Sequence, residues 1–329
     1  MNAERNLIVN SIVRALCLGV WAVASLGAAM AQPYPTKPIR LVVGFPVGGG
    51  VDLVARGVGA ELQKILGQPV VIENRAGAGG GLAAELVAKA PADGYTLLMG
   101  NTGSLTINPA LYPNIKYDSR RDFAPVGLVS NSPLALVVHA ASPIQSIADL
   151  VQRSKNTSLH YGTGGNGSIS HLMVEVLKMR TGARLEHVPY KGGAPAVTDL
   201  LAQQVHVVVD GVPLLAPHVN DKKLRALAVT SANRSATLPE VPTLVEAGYP
   251  DLIITAWYGL VAPVGTPSSV IQTLNKALNQ ALATQAVRDN LRGQGSEAMG
   301  GTPAQFTELL NRELDRWSSA VKVSGAKVE

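Results

Sequence analysis

Residues 39–66 read IRLVVGFPVGGGVDLVARGVGAELQKIL and contain three patterns in a row. The apolar run Ile39–Phe45 is typical of a buried strand, and the segment from about Val51 to Leu66 has the spacing of an amphipathic helix. The glycines between the two allow the backbone to turn sharply. A strand, a glycine loop and a helix in this order indicate an α/β fold with a parallel sheet.

The same alternation of apolar runs and helical patterns continues along the chain. Two apolar runs are unusually long, Phe123–Val138 and Ile253–Val261, and we interpret each as a strand that crosses between two lobes. The pattern predicts an α/β fold with two lobes, each a mainly parallel sheet flanked by helices, and a ligand cleft between them. Further strands are predicted at Pro69–Glu73, Tyr95–Met99, Leu159–Tyr161, Leu185–Pro189, Val205–Val209 and Leu224–Thr230. Helices are predicted at Leu82–Lys89, from Ser146 onward, at Ser168–Arg180, at Ala194–Ala202, and after the N-cap and proline pairs Thr266-Pro267 and Thr302-Pro303.

The two crossing strands set the expected lobe boundaries. Lobe 1 would combine residues 32–130 and 255–329, and lobe 2 would comprise residues 131–254. A chain of 329 residues exceeds the usual size of one domain, which agrees with two lobes. The 47% hydrophobic content excludes a disordered chain. Lys and Arg exceed Asp and Glu only mildly, 28 against 23, and aromatic residues are 4%, which argues against a nucleic-acid surface.

Residues 1–31 have the three parts of a secretory signal peptide. Arg5 and Arg14 supply positive charge, residues 15–27 are apolar, and Ala29-Met30-Ala31 is a small-x-small site after which cleavage is predicted. The apolar run is shorter than the roughly 20 residues that span a bilayer, so we expect export to the periplasm. The single cysteine, Cys17, would leave with the signal peptide. Disulfides, thiolate catalysis and Cys-based zinc sites are therefore excluded for the mature chain.

Two glycine loops lie in matching positions, each after a predicted strand and before a helix: FPVGGGVD at 45–52 and YGTGGNGS at 161–168. Glycines can expose backbone N–H groups, and a helix start adds partial positive charge, so each loop can bind an anion without a charged side chain. Two such loops at one cleft would suit a ligand that carries carboxylates. The candidate ligand-binding residues in and beside the loops are Phe45, Pro46, Val47, Gly48, Gly49, Asp52, Asn101, Ser104, Thr163, Gly164, Gly167, Ser168 and His171.

Three charged residues near the predicted cleft have both a structural and a functional interpretation. Asp52, in the first helical turn, can complement the helix dipole, or it can orient the loop and receive a ligand donor. Asp210 follows a predicted strand and would open onto the cleft, which makes it a further candidate ligand-binding residue. Lys191 follows another strand end and is either a solvated lysine or a ligand clamp.

Other chemistries have weaker support in the sequence. The stretch GTGGNG at 162–167 matches G-x-G-x-x-G, with Glu186 near the end of the next strand as in a dinucleotide-binding enzyme, but export would remove the chain from the NAD pool. Ser168 and His171 are three residues apart, so both can face the cleft as a catalytic pair, although capping explains them more simply. The six histidines have no metal-binding spacing. No catalytic residue, cofactor or metal is predicted.

An ordered set of short motifs extends from Tyr34-Pro35 to the end of the chain. The motifs are PTKPI at 35–39, FPVGGGVD at 45–52, ENRAGAGG at 73–80, DGYTL at 93–97, NP at 108–109, YGTGGNGSISHL at 161–172, HVPYKG at 187–192, LAVT at 227–230, VPT at 241–243 and AP at 262–263. Each motif alone is weak, whereas the ordered set is specific. By this set the chain resembles the Bug-type extracytoplasmic solute receptors, the substrate-binding proteins of tripartite tricarboxylate transporters.

The resemblance implies a periplasmic binding protein, not an enzyme, whose two lobes close through a hinge on a small carboxylate. Backbone amides and waters from the loops at 45–52 and 161–168 would hold the ligand carboxylate. The expected partners are membrane permease subunits or a membrane sensor, and the receptor is expected to be a monomer. At Val51 the sequence departs from the commoner pattern, in which many relatives carry a hydroxyl residue, so no ligand identity is carried over. A secreted enzyme that acts on a small acidic substrate, or a ligand sensor, stays as the alternative.

Overall fold

In the computed structural model, which describes residues 34–190 and 193–326, ten strands form one continuous mixed sheet. The strands are β1 (Ile39–Val43), β2 (Val70–Asn74), β3 (Thr96–Asn101), β4 (Phe123–His139), β5 (Leu159–Thr163), β6 (Leu185–Pro189), β7 (Val207–Gly211), β8 (Leu224–Val229), β9 (Thr255–Pro263) and β10 (Glu297–Gly300). The predictions for residues 1–31, including Cys17 and cleavage after Ala31, and for Lys191 lie outside the described residues.

Ten α-helices of the described chain cover the sheet. They are α1 (Gly50–Leu66), α2 (Gly81–Ala88), α3 (Asn108–Leu111), α4 (Ile147–Ser154), α5 (Ile169–Thr181), α6 (Gly193–Leu201), α7 (Val212–Asn220), α8 (Ser268–Ala283), α9 (Gln285–Gly293) and α10 (Pro303–Ser324). A 3₁₀ turn at Ala78–Gly80 precedes α2, and a π-helical turn at Gly103–Ile107 precedes α3. Within residues 34–190 and 193–326, none of the helices combines the length and the apolar character that a membrane span requires.

The sheet has two parallel groups of strands joined by long antiparallel ones, in the order β2-β1-β3-β9-β4-β7-β5-β6. Strand β1 pairs in parallel with β2 and β3, and β5 pairs in parallel with β6 and β7. The long strand β4 pairs with β9 from Phe123 to Pro133 and with β7 from Leu134 to Val137. The sheet therefore passes from its first half to its second half at Pro133-Leu134. The predicted α/β class with two crossing strands is confirmed.

Helix starts follow local capping chemistry, with one error in the prediction. Ser146 caps α4, because its Oγ accepts from the Asp149 N–H at 3.1 Å. Thr302 and Gln305 form a full capping box at the start of α10. Thr266 was expected to cap α8, and this is wrong: the N-cap is Pro267, and the Thr266 hydroxyl donates to the Pro263 carbonyl at 2.8 Å.

Helix α10 belongs to the cores of both halves. Phe306 and Leu310 near its start pack in the core of the first half, where Phe306 meets Trp257 edge-on at 5.5 Å between ring centroids. Trp317 and Ala320 near its end pack in the core of the second half. Residues from Lys37 onward form one contiguous unit, and the lobe boundaries inferred from the sequence stay a prediction.

Candidate functional site

The first glycine loop connects β1 to α1 and is held by a buried carboxylate. Asp52 is 1% exposed, and its Oδ2 accepts from the Gly48 N–H and from Arg56 Nε, both at 2.9 Å. Its Oδ1 accepts from Asn74 Nδ2 at 2.9 Å, and the same amide group donates to the Phe45 carbonyl at 3.0 Å. Asp52 therefore orients the loop, and both of its carboxylate oxygens already accept hydrogen bonds from the protein itself. Asn74 likewise belongs to the loop architecture.

These bonds keep the Asp52 carboxylate charged over the whole physiological range. The hydrogen bond from Arg56 is the largest cause that lowers the pKa of Asp52, to about 2, while burial acts in the opposite direction. The Gly48 N–H and the Asn74 amide lower the pKa of Asp52 further. Gly48 has a φ of +82°, a backbone conformation that favours glycine at this turn.

The N-terminus of α1 has free backbone donors. Gly49 is its N-cap and supplies no side-chain cap, and the Gly49 N–H is used by the Pro46 carbonyl at 3.2 Å. No described residue accepts a hydrogen bond from the N–H groups of Gly50 and Val51. Val47 at the loop tip is 71% exposed, whereas the Val51 side chain is buried. The loop therefore presents backbone donors and the positive end of a helix, which is the chemistry of an anion site.

Asn101 and Ser104 close the turn that follows β3. Asn101 Oδ1 accepts from the Ser104 N–H at 2.8 Å, and the Asn101 N–H donates to Ser104 Oγ at 3.1 Å. Ser104 is 2% exposed, so its hydroxyl supports the π-helical turn rather than reaching solvent. Asn101 is half-buried and keeps its Nδ2 group outside this reciprocal pair.

Tyr258 is a site residue that sequence reasoning missed. It lies on β9 directly opposite Asn101 of β3 in the antiparallel ladder. A Cβ atom on Gly50 would lie 3.1 Å from its hydroxyl oxygen, so the hydroxyl is next to the start of α1. The sequence places Tyr258 in the second crossing strand. The face of the sheet on which its side chain lies depends on the strand pairing, which the sequence does not show.

The second glycine loop, between β5 and α5, is bonded mostly to itself. The Gly165 N–H donates to Thr163 Oγ1 at 3.3 Å, and the Ser168 N–H donates to the Gly165 carbonyl at 3.2 Å. The Gly167 N–H donates to His171 Nδ1 at 3.1 Å. The N–H groups of Gly164 and Asn166 have no acceptor among the described residues. This loop therefore offers fewer backbone donors than its glycine content suggests.

A buried histidine stack supports the second loop from behind. The rings of His171 and His187 are parallel within 6° with centroids 3.9 Å apart, and Thr163 Oγ1 lies 2.7 Å from His187 Nε2. Burial, and to a smaller extent the neighbouring charges of His171 and Lys178, lower the pKa of His187 to about 3. Burial also lowers the pKa of His171, against the charge of Glu175. Both rings are neutral at neutral pH, which suits a Nδ1 that accepts from the Gly167 N–H.

The structure contains no Ser–His catalytic pair at this helix start. Ser168 Oγ accepts from the backbone N–H of His171 at 3.2 Å and caps α5. The His171 ring is 5% exposed and bonded elsewhere, so the expectation that both side chains face an open cleft is wrong for His171. Among residues 34–190 and 193–326, no group of three or more acidic or histidine side chains is arranged to hold a metal ion.

The acidic residue of the dinucleotide hypothesis lies at the wrong end of its strand. Glu186 is the second residue of β6 and pairs with His160, whereas the glycine loop begins after Thr163. Its carboxylate bonds to the Ser158 hydroxyl and lies 3.2 Å from His160 Nε2. It is thus remote from the loop backbone, and the G-x-G-x-x-G match has no ribose-binding partner here.

Asp210 lies within the last two residues of β7 rather than after the strand. Its Oδ1 accepts from the Gly211 N–H at 2.7 Å, and burial raises the pKa of its carboxyl. A Cβ atom on Gly193 would lie 2.2 Å from Asp210 Oδ2, so only glycine fits at the start of α6. Asp210 therefore stands half-buried where β7 meets two helix starts.

The two halves of the sheet meet at the second loop. Gly167 has a φ of +71°, and a Cβ atom on it would lie 2.5 Å from Leu111 Cδ2. Leu111 belongs to α3, which follows the turn that contains Asn101 and Ser104. The second loop thus packs against the segment that follows β3. The turn at the start of this segment contains Asn101 and Ser104, two predicted site residues of the first half.

Comparison with known proteins gives a consistent set of relatives. The family described as "Tripartite tricarboxylate transporter family receptor" (TctC) matches residues 54–325. Protein BugT of Bordetella pertussis is 38% identical over 100% of both chains. An R. palustris protein solved with adipate is 37% identical, with a TM-score of 0.73 over 90% of this chain and 100% of that chain. MatC from Rhodopseudomonas palustris, with bound malate, is 34% identical, with a TM-score of 0.70 over 88% and 100%.

Proposed function

Because the chain belongs to the tripartite tricarboxylate transporter receptor family, whose members are periplasmic substrate-binding receptors and not enzymes, we propose that it binds a small organic acid. The ligand carboxylate would lie between the loops at 45–52 and 161–168. Uptake through membrane permease subunits would follow. The family description supports this partner, and the receptor would act as a monomer.

The observation that carries the proposal is the start of α1. The N–H groups of Gly50 and Val51 have no acceptor in the part of the chain that the structure describes, and Asp52 holds the loop that precedes them. Preorganised backbone donors at a helix N-terminus favour an anion without a titrating side chain. The N–H groups of Gly164 and Asn166 add donors from the second loop. In an organic acid, the anionic group that can accept from such donors is the carboxylate.

Two relatives narrow the class of acid to test first. The R. palustris protein was solved with adipate, and MatC was solved with malate. Both ligands are dicarboxylates, and both relatives exceed 30% identity to this chain. A dicarboxylate is therefore our first candidate ligand class for this receptor.

A thermal-shift and calorimetry screen of the mature protein tests the proposal. The panel contains adipate and malate, the corresponding diamides as neutral controls, and NAD. At free ligand about 100-fold above the dissociation constant, binding adds about 2.7 kcal/mol of stability, so the melting temperature should rise by roughly 4–8 °C. Stabilisation by NAD alone, or by the diamides and not the acids, would refute the carboxylate proposal.

Export and lobe closure complete the proposed function. The mature chain would begin after Ala31, which an intact mass of the exported protein checks. Lobe 1 (32–130 and 255–329) and lobe 2 (131–254) would close on the ligand, so the radius of gyration from small-angle scattering should fall when the acid is added. A mass that retains residues 1–31 would contradict export with cleavage at this site.

A further inference from the structure

Two neighbouring side-chain donors on the sheet have no hydrogen-bond acceptor among the residues that the structure describes. Asn101 of β3 and Tyr258 of β9 are directly opposed, so their side chains share one face of the sheet with Cβ atoms about 5 Å apart. The carbonyl oxygen of the Asn101 side chain accepts from the Ser104 N–H, which leaves its Nδ2 group as the free end. No described residue accepts a hydrogen bond from Asn101 Nδ2 or from the Tyr258 hydroxyl, and both residues are half-buried.

The hydroxyl of Tyr258 lies at the start of α1. The Tyr258 hydroxyl oxygen would be 3.1 Å from a Cβ atom on Gly50, and the Gly50 N–H has no acceptor among the described residues. A backbone donor and a hydroxyl donor are therefore neighbours at this helix start. A side chain at Gly50 would occupy part of this space, which explains why the loop ends in glycine here.

We propose that Tyr258 and Asn101 are specificity-determining residues that donate hydrogen bonds to the ligand carboxylate at the N-terminus of α1. This inference rests on the proposed function and names the side chains that act in it. Every free group on this side is a donor or can be one, so the matching ligand group is an oxygen that only accepts. A carboxamide has one acceptor oxygen where a carboxylate has two, so this set of donors favours a carboxylate over an amide.

The chemistry of the phenol supports the role. Burial raises the pKa of Tyr258, so its O–H stays protonated at any pH the periplasm reaches. Because the hydroxyl has no hydrogen-bond partner within residues 34–190 and 193–326, its removal breaks no bond to that part of the chain. A purely structural tyrosine would behave in the opposite way, since its loss would lower stability and leave affinity unchanged.

Calorimetry with adipate and malate tests the inference on three variants. Tyr258→Phe removes only the hydroxyl, and Asn101→Asp keeps the acceptor for the Ser104 N–H but replaces the free amide by an oxygen. Each should weaken the affinity by about tenfold or more, because hydrogen bonds to a charged group are the strong ones. Tyr249→Phe, whose ring packs against the core of the second half, is the matched control and should leave the affinity unchanged.

The melting temperature without ligand is the second readout. It should be unchanged in Tyr258→Phe, which separates a ligand contact from a structural role. If the wild type binds the acid and Tyr258→Phe binds it with the same affinity, this inference is wrong and the proposed function still stands. Failure of the wild type to bind either acid would overturn both.

Discussion

Replacing Asp52 by asparagine should release the first loop and destabilise the protein in a pH-dependent way. The buried carboxylate accepts from the Gly48 N–H, Arg56 Nε and Asn74 Nδ2, and the amide of asparagine cannot accept all three. A fall in the pKa of Asp52 from 3.8 to about 2 corresponds to roughly 2 kcal/mol of stabilisation of the folded state. Because the Arg56 side chain is 47% exposed, solvent screening reduces this stabilisation. We therefore expect Asp52→Asn to lower the free energy of unfolding by about 1–2 kcal/mol at pH 7.

The direction of the pH dependence follows from the lowered pKa. The folded protein holds the Asp52 proton less tightly than the unfolded chain, so this stabilisation is complete above about pH 4–5. It is lost as the pH falls toward the folded pKa of about 2. The difference in stability between wild type and Asp52→Asn should therefore be constant from pH 5 to 7 and shrink toward zero near pH 2. Denaturant titrations at pH 7, 4 and 2.5 measure it.

Asp149→Asn is the matched control for Asp52→Asn. Asp149 also lies in the first turn of a helix and pairs with an arginine four residues later, Arg153, at 2.7 Å, but its side chain is 29% exposed. Loss of this half-exposed pair should cost less stability than the loss of the buried Asp52 carboxylate and should leave acid binding unchanged. Equal effects of the two substitutions, or an effect of Asp52→Asn on stability that is as large at pH 2.5 as at pH 7, would refute the assigned role of Asp52.

Three further substitutions probe the site. Gly50→Ala should weaken acid binding severalfold in calorimetry, since its Cβ would crowd the Tyr258 hydroxyl at 3.1 Å, whereas Gly293→Ala, with open space, should not. His187→Gln should flatten the pH dependence of stability. Because its pKa is lowered, the folded state resists protonation of His187, and the wild type should lose up to roughly 1.4 kcal/mol of stability for each pH unit below about pH 6.5. An equally steep loss in the variant would contradict this role. Ser168→Ala should lower stability by about 1 kcal/mol through loss of the α5 cap, which unchanged thermal melting would disprove.

The fold was predictable because its strands are short apolar runs bounded by glycine or polar residues. Strand β6 has the predicted bounds, Leu185–Pro189, and α1 begins one residue before the prediction. Helix α7 was missed because Pro213 and Pro217 lie in it, although a proline in the first turn costs a helix no hydrogen bond. Helix α9 was missed as well.

Site details that depend on strand pairing could not be read from the sequence. The burial of His171 follows from its stacking on His187, which stands opposite Tyr161 in the β5–β6 ladder. The position of Tyr258 follows from the β4–β9 ladder, whose register shifts twice along its length. Local sequence shows neither the stack nor the shifts. By contrast, the glycine loops were found because glycine before a helix start is itself the signal.

The bridging position of α10 restricts the directions in which the two halves can move. A helix of 22 residues is a rod about 33 Å long, and here Phe306 anchors one end and Trp317 lies in the opposite core. A bending motion across the rod would have to pull one of these aromatic side chains from its packing. Rotation about the long axis of the rod disturbs this packing least, so we expect the closure of the two halves on a ligand to be a rotation about α10.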